Sequence, residues 1–581
     1  MTDVELGTGS LMGPAERRRA WERLGAEQFD VVVIGGGVVG AGAALDAATR
    51  GLRVALVEAR DFASGTSSRS SKMFHGGLRY LEQLEFGLVR EALHERELSL
   101  TTLAPHLVKP LPFLFPLTNR VWERPYIAAG IFLYDQLGGA KSVPAQKHLT
   151  KSGALRLAPG LKRSALIGGI RYYDTVVDDA RHTMTVARTA AHYGAVVRTS
   201  TQVVSLLREG DRVIGVRVRD SEDGAVAEVR GHVVVNATGV WTDEIQALSK
   251  QRGRFRVRAS KGVHIVVPRD RIVSEVAIIL RTEKSVLFVI PWGTHWIIGT
   301  TDTDWNLDLA HPAATKADID YILGTVNTVL ATPLTHDDID GVYAGLRPLL
   351  AGESEETSKL SREHAVASPA PGLVAIAGGK YTTYRVMAAD AIDQASQFIP
   401  ARVAPSITEK VPLVGADGYF ALINQTEHVG ARFGLHPYRV RHLLDRYGSL
   451  IDEVLALASR EGGRPDLLEP ISDAPVYLKV EAAYAAAAEG ALHLEDILSR
   501  RMRISIEYPH RGVDCAREVA EVVAPILGWS AEDIDREVAT YIARVEAEVL
   551  SQTQPDDASA DALRAAAPEA RAEILEPVPL T

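Results

Sequence analysis

Residues 29–60 of this 581-residue chain read FDVVVIGGGVVGAGAALDAATRGLRVALVEAR, and no other stretch narrows the fold so far. The run 31–34 is a continuous apolar strand of the kind buried on both faces of a parallel sheet. After it, Gly35-Gly36-Gly37-Val38-Val39-Gly40 opens a helix carrying Ala41, Ala44, Leu45 and Ala48, and a second apolar strand, 54–57, ends at Glu58. The glycines serve different ends. Gly35 makes the tight turn, Gly37 admits a pyrophosphate against the backbone, and Gly40 lets helix and strand pack closely. The diphosphate then rests on the positive helix end, and Glu58 is placed to accept hydrogen bonds from a ribose. A lone GxGxxG is a weak signal. With strand, helix, second strand and acidic terminus all in place, it predicts a dinucleotide-binding βαβ unit.

Position and a second signature favour FAD over NAD. The glycine turn lies near the N-terminus of a long chain, and Asn236-Ala237-Thr238-Gly239, closing the apolar stretch 231–235, looks like a second flavoprotein turn. Further strands are expected at 195–197, at 286–290 with 296–298, and at 373–377, the last running into Gly378-Gly379-Lys380. Strands alternating with helices, with late returns to the sheet, imply an α/β fold over residues 27–404. It comprises a Rossmann-like FAD-binding domain interleaved with a mainly antiparallel β substrate (cap) domain. From 405 to 550 the apolar spacing of three and four predicts an all-helical C-terminal domain. Residues 1–26 are expected to form a polar N-terminal arm, and 551–581, rich in Ala, Pro, Asp and Glu, a disordered tail.

The net charge of −10 argues against nucleic acid as a partner, since that binding needs a basic footprint. A single cysteine, Cys515, excludes an intrachain disulfide and a redox thiol pair. The histidines lack ligand spacing, so no metal is expected. Residues 1–25 show no apolar signal core, and the longest uncharged stretch, 285–301, is broken by Pro291, Gly293 and His295. Neither a secretory signal nor a spanning helix is expected, and the cytoplasm is the expected compartment.

The most specific pattern is Thr66-Ser67-Ser68-Arg69-Ser70-Ser71-Lys72-Met73-Phe74-His75-Gly76-Gly77-Leu78-Arg79-Tyr80-Leu81. It is followed by Lys261-Gly262-Val263-His264-Ile265-Val266-Val267-Pro268 and by Ile298-Gly299-Thr300-Thr301-Asp302. Then come Ala344-Gly345-Leu346-Arg347-Pro348 and Gly378-Gly379-Lys380-Tyr381-Thr382-Thr383-Tyr384-Arg385. In content and order these blocks resemble the FAD-dependent glycerol-3-phosphate dehydrogenases of the aerobic, respiratory bacterial type. The chain departs at Phe74, usually aliphatic in that family, and in its N-terminal arm; no EF-hand loop of the Ca²⁺-regulated mitochondrial form follows. The resemblance implies oxidation of sn-glycerol 3-phosphate to dihydroxyacetone phosphate by hydride transfer from C2 to FAD N5. It also implies reoxidation by a membrane quinone, with the enzyme peripheral on the inner face of the cell membrane and in contact with lipid.

Residue roles follow from the same resemblance. Cofactor contacts fall to Gly35, Gly37, Gly40, Glu58, Thr66, Ser67, Ser68, Ser71, Lys72, His75, Gly76, Gly77, Val203, Ala237, Thr238, Gly239, Gly379 and Thr382. Substrate contacts fall to Arg79, Tyr80, Arg347, Lys380 and Thr383. A phosphate monoester carries roughly −2; arginine grips it bidentately and lysine acts as a point charge. His75 and His264 are the candidate general bases for the C2 hydroxyl, with Arg347 or Lys380 as alternative stabilisers of a developing alkoxide. Three other readings stay open: a glycerol-3-phosphate oxidase using O₂, a flavin amine oxidase of the glycine oxidase type, and a protein holding FAD structurally. A homodimer is also left open. Residues 109–134 mix Leu111, Phe113, Leu114, Phe115, Trp122 and Phe132 with Lys109, Arg120 and Arg124, and read either as a membrane-facing surface or as a core segment of the cap.

Overall fold

The computed structural model describes residues 10–571 apart from 78–84, 119–122, 139–141, 250–254, 283–285, 352–362 and 460–462. The first unit forms as its pattern predicts, with strand Gln28–Ile34, helix Val38–Thr49 and strand Val54–Val57. The two strands pair in parallel, Val31 beside Val54 and Ile34 beside Val57. On the other side Gln28–Ile34 pairs with Val226–Asn236, Ile34 opposite Asn236, and Leu373–Gly378 adds beyond it. Val196–Arg198 extends the sheet past Val54–Val57, and antiparallel His364–Ala370 borders Leu373–Gly378. Parallel pairing brings the carboxyl ends of strands remote in sequence to one rim, where open α/β sheets bind their ligands.

Among the described residues a second sheet of ten strands is antiparallel except where Ala277–Arg281 lies beside Val108–Leu117. This is the expected cap. Val257–Pro268 pairs with Gly341–Leu350 in a register that sets Gly262 against Gly345 and His264 against Tyr343. Val108–Leu117 pairs with Gly168–Val177 and buries Leu111, Phe113, Leu114 and Phe115, with Phe113 stacked on Tyr172 at 5.4 Å between centroids. For this half of 109–134 the core reading therefore holds, and the membrane-facing one does not. The following helix, Glu123–Gly138, leaves Tyr126 and Phe132 exposed; Arg120 and Trp122 lie outside the described residues.

The C-terminal helices pack around Val440, Leu444, Leu455, Tyr484, Ile497, Val519 and Val523, interrupted by one small hairpin, Pro470–Ile471 with Ala474–Leu478. Buried ion pairs tie this domain to the nucleotide domain: Arg501 to Asp61 at 2.7 Å, Arg181 to Glu489 at 2.8 Å, and Arg503 to Asp178 at 2.7 Å. The N-terminal arm is a helix, Pro14–Ala26, anchored where Met12 N donates to Ala488 O at 3.1 Å. Within the described residues the expected disordered tail, 551–571, is instead ordered. Asp557–Ala566 is a helix, Ala560 and Arg571 are buried, and Arg571 pairs with Asp496 at 2.8 Å. Composition misleads here because the tail is held by charge pairing to buried partners rather than by large apolar side chains.

Candidate active site

The glycine turn is built as its spacing requires. Gly35 sits at φ +108°, and a Cβ there would stand 2.7 Å from Ala237 O. At Gly40 a Cβ would fall 1.9 Å from Gly35 O, so only glycine lets the helix approach the strand. At Gly37 the nearest atom is Ser67 Oγ at 3.3 Å. Gly37 caps the helix without a side-chain bond, and Ser67 Oγ accepts from Val38 N at 3.0 Å. Glu58 accepts from Gly36 N at 2.6 Å and from Arg60 N at 2.8 Å. Burial pushes its carboxyl above the ordinary carboxylate range, against the pull of those two N–H groups.

A cavity of about 820 Å³ opens over this turn and is lined from both sheets. It brings together Gly35, Gly37, Glu58, Thr66, Ser67, Ser71, His75, Gly77, Val203, Ala237, Thr238, Gly239, His264, Arg347, Gly379, Lys380 and Thr382. Five expected residues do not line it. Gly40 acts behind the turn, where it admits the helix to the strand. Lys72 is wholly buried, and its Nζ donates to Asp179 at 2.9 Å and to Ser68 O at 3.0 Å. Ser68 contributes that carbonyl and is buried with it. Gly76 packs on Leu93 and donates to Tyr134 Oη at 2.8 Å. Thr383 turns its hydroxyl back to Lys380 O at 3.4 Å. Arg79 and Tyr80 lie outside the described residues.

On the cap side, Arg347 Nη2 donates to Thr300 Oγ1 at 3.0 Å and Thr301 O at 3.2 Å, and Nη1 lies 3.6 Å from Asp302. The guanidinium passes over Gly262. His264 is stacked on Tyr343 at 4.8 Å and 11°, and its Nε2 meets Ser71 Oγ at 2.9 Å. Burial, then the charges of Arg347 and Lys72, hold this imidazole well below its ordinary range, so it is neutral at pH 7. A Cβ at Gly299 would stand 2.3 Å from the same ring. His75 is placed by its backbone, its N–H donating to Thr382 Oγ1 at 3.2 Å.

Residues 30–385 match the FAD dependent oxidoreductase family, and residues 406–534 match the C-terminal domain of alpha-glycerophosphate oxidase. The chain belongs to the FAD-dependent oxidoreductases. Among members of this family, it is 88% identical over 571 residues to glycerol-3-phosphate dehydrogenase 2 of Mycobacterium tuberculosis, covering 98% of this chain and 97% of that protein. It is 86% identical over 572 residues to glycerol-3-phosphate dehydrogenase of Mycobacterium leprae, with the same coverage. The crystal structure of a glycerol-3-phosphate dehydrogenase from Bacillus halodurans complexed with FAD superposes with a TM-score of 0.77 at 28% identity, over 92% of this chain and 98% of that one.

The site fits the FAD of the family on its own geometry. The glycine turn leaves its Gly37 face open to a diphosphate, Glu58 stands at the end of the second strand, and the cavity is of the size that encloses a large organic ligand. Sequence reasoning missed several walls of it: Gln202 and Trp241 near the βαβ unit, and Phe115, Tyr172, Ile279, Arg281 and Phe288 from the cap. Strand alternation shows that Ile279 and Arg281 share a face, but not that the face looks onto a ligand. Arg69 also lines the cavity, and its position inside the 66–81 motif was the one signal available.

Proposed function

We propose that this FAD-dependent oxidoreductase converts sn-glycerol 3-phosphate to dihydroxyacetone phosphate. The observation that carries the reading is Arg347 and Lys380 on one cavity with neutral His264 and the glycine turn: a phosphate clamp, a base and a dinucleotide cradle in one space. The high identity to mycobacterial proteins named glycerol-3-phosphate dehydrogenase supports it. Bound FAD supplies the hydride acceptor. The chain supplies positioning: Arg347, fixed by Thr300 and Thr301, presents its fork to the phosphate, and Lys380 adds a point charge. His264, oriented by Ser71 and Tyr343, takes the proton of the C2 hydroxyl at a ring nitrogen. His75 is the alternative base.

Reoxidation by a membrane quinone is part of the same proposal, with the protein peripheral on the inner membrane face. Exposed Tyr126 (49%) and Phe132 (57%) on helix Glu123–Gly138 support an interfacial contact. Among the described residues no helix is long and apolar enough to cross a membrane. A second reading, reoxidation by O₂, is favoured by the C-terminal match to an alpha-glycerophosphate oxidase domain. Anaerobic addition of glycerol 3-phosphate, but not glycerol, should bleach the bound flavin. Recovery of colour with a quinone analogue under argon supports the dehydrogenase, and rapid recovery only on admitting air supports the oxidase. A flavin that no phosphorylated donor bleaches overturns both.

A further inference from the structure

A second cavity, of about 110 Å³, lies between the C-terminal helices and the cap strand Gly341–Leu350. Six arginines line it, and their charges are unevenly matched. Three are answered by carboxylates: Arg500 by Asp61, Asp496 and Glu495, Arg503 by Asp178, and Arg544 by Glu569 and, at 3.8 Å, by Glu495. Of these, Glu495 lines the cavity, and Asp61, Asp496 and Glu569 are shared with cations outside it. The other three, Arg69, Arg511 and Arg564, share one. Glu548 takes Arg511 at 3.0 Å and Arg564 at 2.5 Å. Arg69 donates to Ala310 O at 3.0 Å, and no carboxylate within ion-pair distance answers it among the described residues.

The surplus is thus about two positive charges on the walls of a partly open cleft. Burial, with Arg564 next, lowers the Arg69 guanidinium to about 10, and burial lowers that of Arg511 as well. Unspent donors point the same way. Nε of Arg511, Nε of Arg564 and Nε2 of Gln552 are buried and have no hydrogen-bond partner among the described residues. Uncompensated buried charge and unsatisfied donors are each costly, and one bound dianion answers both. The volume admits an ion of a few heavy atoms and is well below the roughly 300 Å³ at which ligand pockets for larger organic molecules begin.

We propose that this cavity is a binding site for a small doubly charged oxyanion of the phosphate class, held by Arg69, Arg511, Arg564 and Gln552. Two sources share that chemistry: free inorganic phosphate, and the phosphoryl group of a small ester whose remainder projects outward. Arg69 also lines the larger cavity, so occupancy here alters the field there.

Equilibrium dialysis of radiolabelled inorganic phosphate against the FAD-loaded full-length Arg347→Ala protein tests the site with the substrate clamp removed. One phosphate per chain is expected, displaced by sulfate but not by chloride at equal ionic strength. Adding Arg564→Gln should weaken it by about tenfold or more, the loss of one charge-assisted bond. Glu548→Gln, which removes the competing carboxylate, should tighten it by a similar factor; a merely structural role predicts no tightening. Displacement by dihydroxyacetone phosphate at concentrations below those needed for inorganic phosphate assigns the ester as ligand, and the reverse order assigns free phosphate. No bound phosphate in the Arg347→Ala protein, or equal affinity in all three, overturns the site. Either result leaves the proposed activity standing, because flavin bleaching is measured with Arg347 intact.

Discussion

Gly262 and Arg347 occupy one space: a Cβ on residue 262 would lie 2.5 Å from Arg347 Nη2 and 2.9 Å from its Cζ. The two are two register steps apart across paired strands, where Ser260 faces Arg347 and Gly262 faces Gly345. Glycine at 262 is therefore part of the proposed phosphate clamp although it carries no functional group. Gly262→Ala should push the guanidinium aside and raise KM for glycerol 3-phosphate by about tenfold, roughly 1.4 kcal/mol. Steady-state kinetics check this, with an unchanged flavin spectrum showing that the cofactor site is intact.

Arg347→Lys keeps the charge and loses the fork. Bidentate contact to a phosphate is not reproduced by an ammonium, so kcat/KM should fall by about 10- to 100-fold. Arg347→Ala should fall further, and added guanidinium should restore part of the rate to the alanine protein alone.

His264→Gln should lower kcat by about 10²–10⁴, the range for losing a general base, with a smaller change in KM. The imidazole is held well below its ordinary range, so wild-type kcat should show no His264 limb between pH 6.5 and 8. Rapid-mixing measurement of flavin reduction separates this from later electron transfer. Equal reduction rates in the variant would shift the role to His75.

His493 links the C-terminal domain to the nucleotide domain, with Nδ1 2.8 Å from Glu537 and Nε2 3.2 Å from Glu222. Burial and Arg571 oppose its charge, but the two glutamates prevail and raise it to about 9. The folded state thus holds a proton that the unfolded chain releases near 6.5. The resulting stability is fully present below pH 6.5 and is lost as pH rises through 9, at most about 3 kcal/mol. Urea unfolding at pH 6 and pH 9.5 should show this slope in wild type and a flatter one in His493→Gln.

The C-terminal segment touches the cofactor side of the molecule. Glu569 reaches Arg60, which lines the larger cavity, at 3.4 Å and His311 at 2.6 Å, while Asp557 pairs with Lys261. A chain ending at Gln554 should release FAD faster and leave buried Asp496 without Arg571. Flavin fluorescence after dilution checks the release, and calorimetry should show a lowered Tm.

Much of this was legible in the residues themselves. The glycine turn, the parallel strands and the cap pair 286–290 with 296–298 follow from pattern, and the motifs from 66 to 385 do converge on one cavity. What a motif does not state is direction. Lys72 sits at φ +55°, in the left-handed region, and its side chain runs to Asp179 rather than onto the cavity wall. Gly76 and Thr383 likewise occupy motif positions whose contacts lie behind the wall. The cap residues Phe115, Tyr172 and Arg281 were hidden for another reason, since a strand pattern separates two faces without telling core from cavity.

The parallel sheet places Leu373–Gly378 beside Val226–Asn236, and Gly378, Gly379 and Lys380 complete a rim begun by Gly35. A ribosome must therefore deliver nearly two thirds of the polypeptide before any coenzyme pocket closes. Any fragment shorter than this lacks Gly378, Gly379 and Lys380, and with them one wall of the space meant for the isoalloxazine and its substrate.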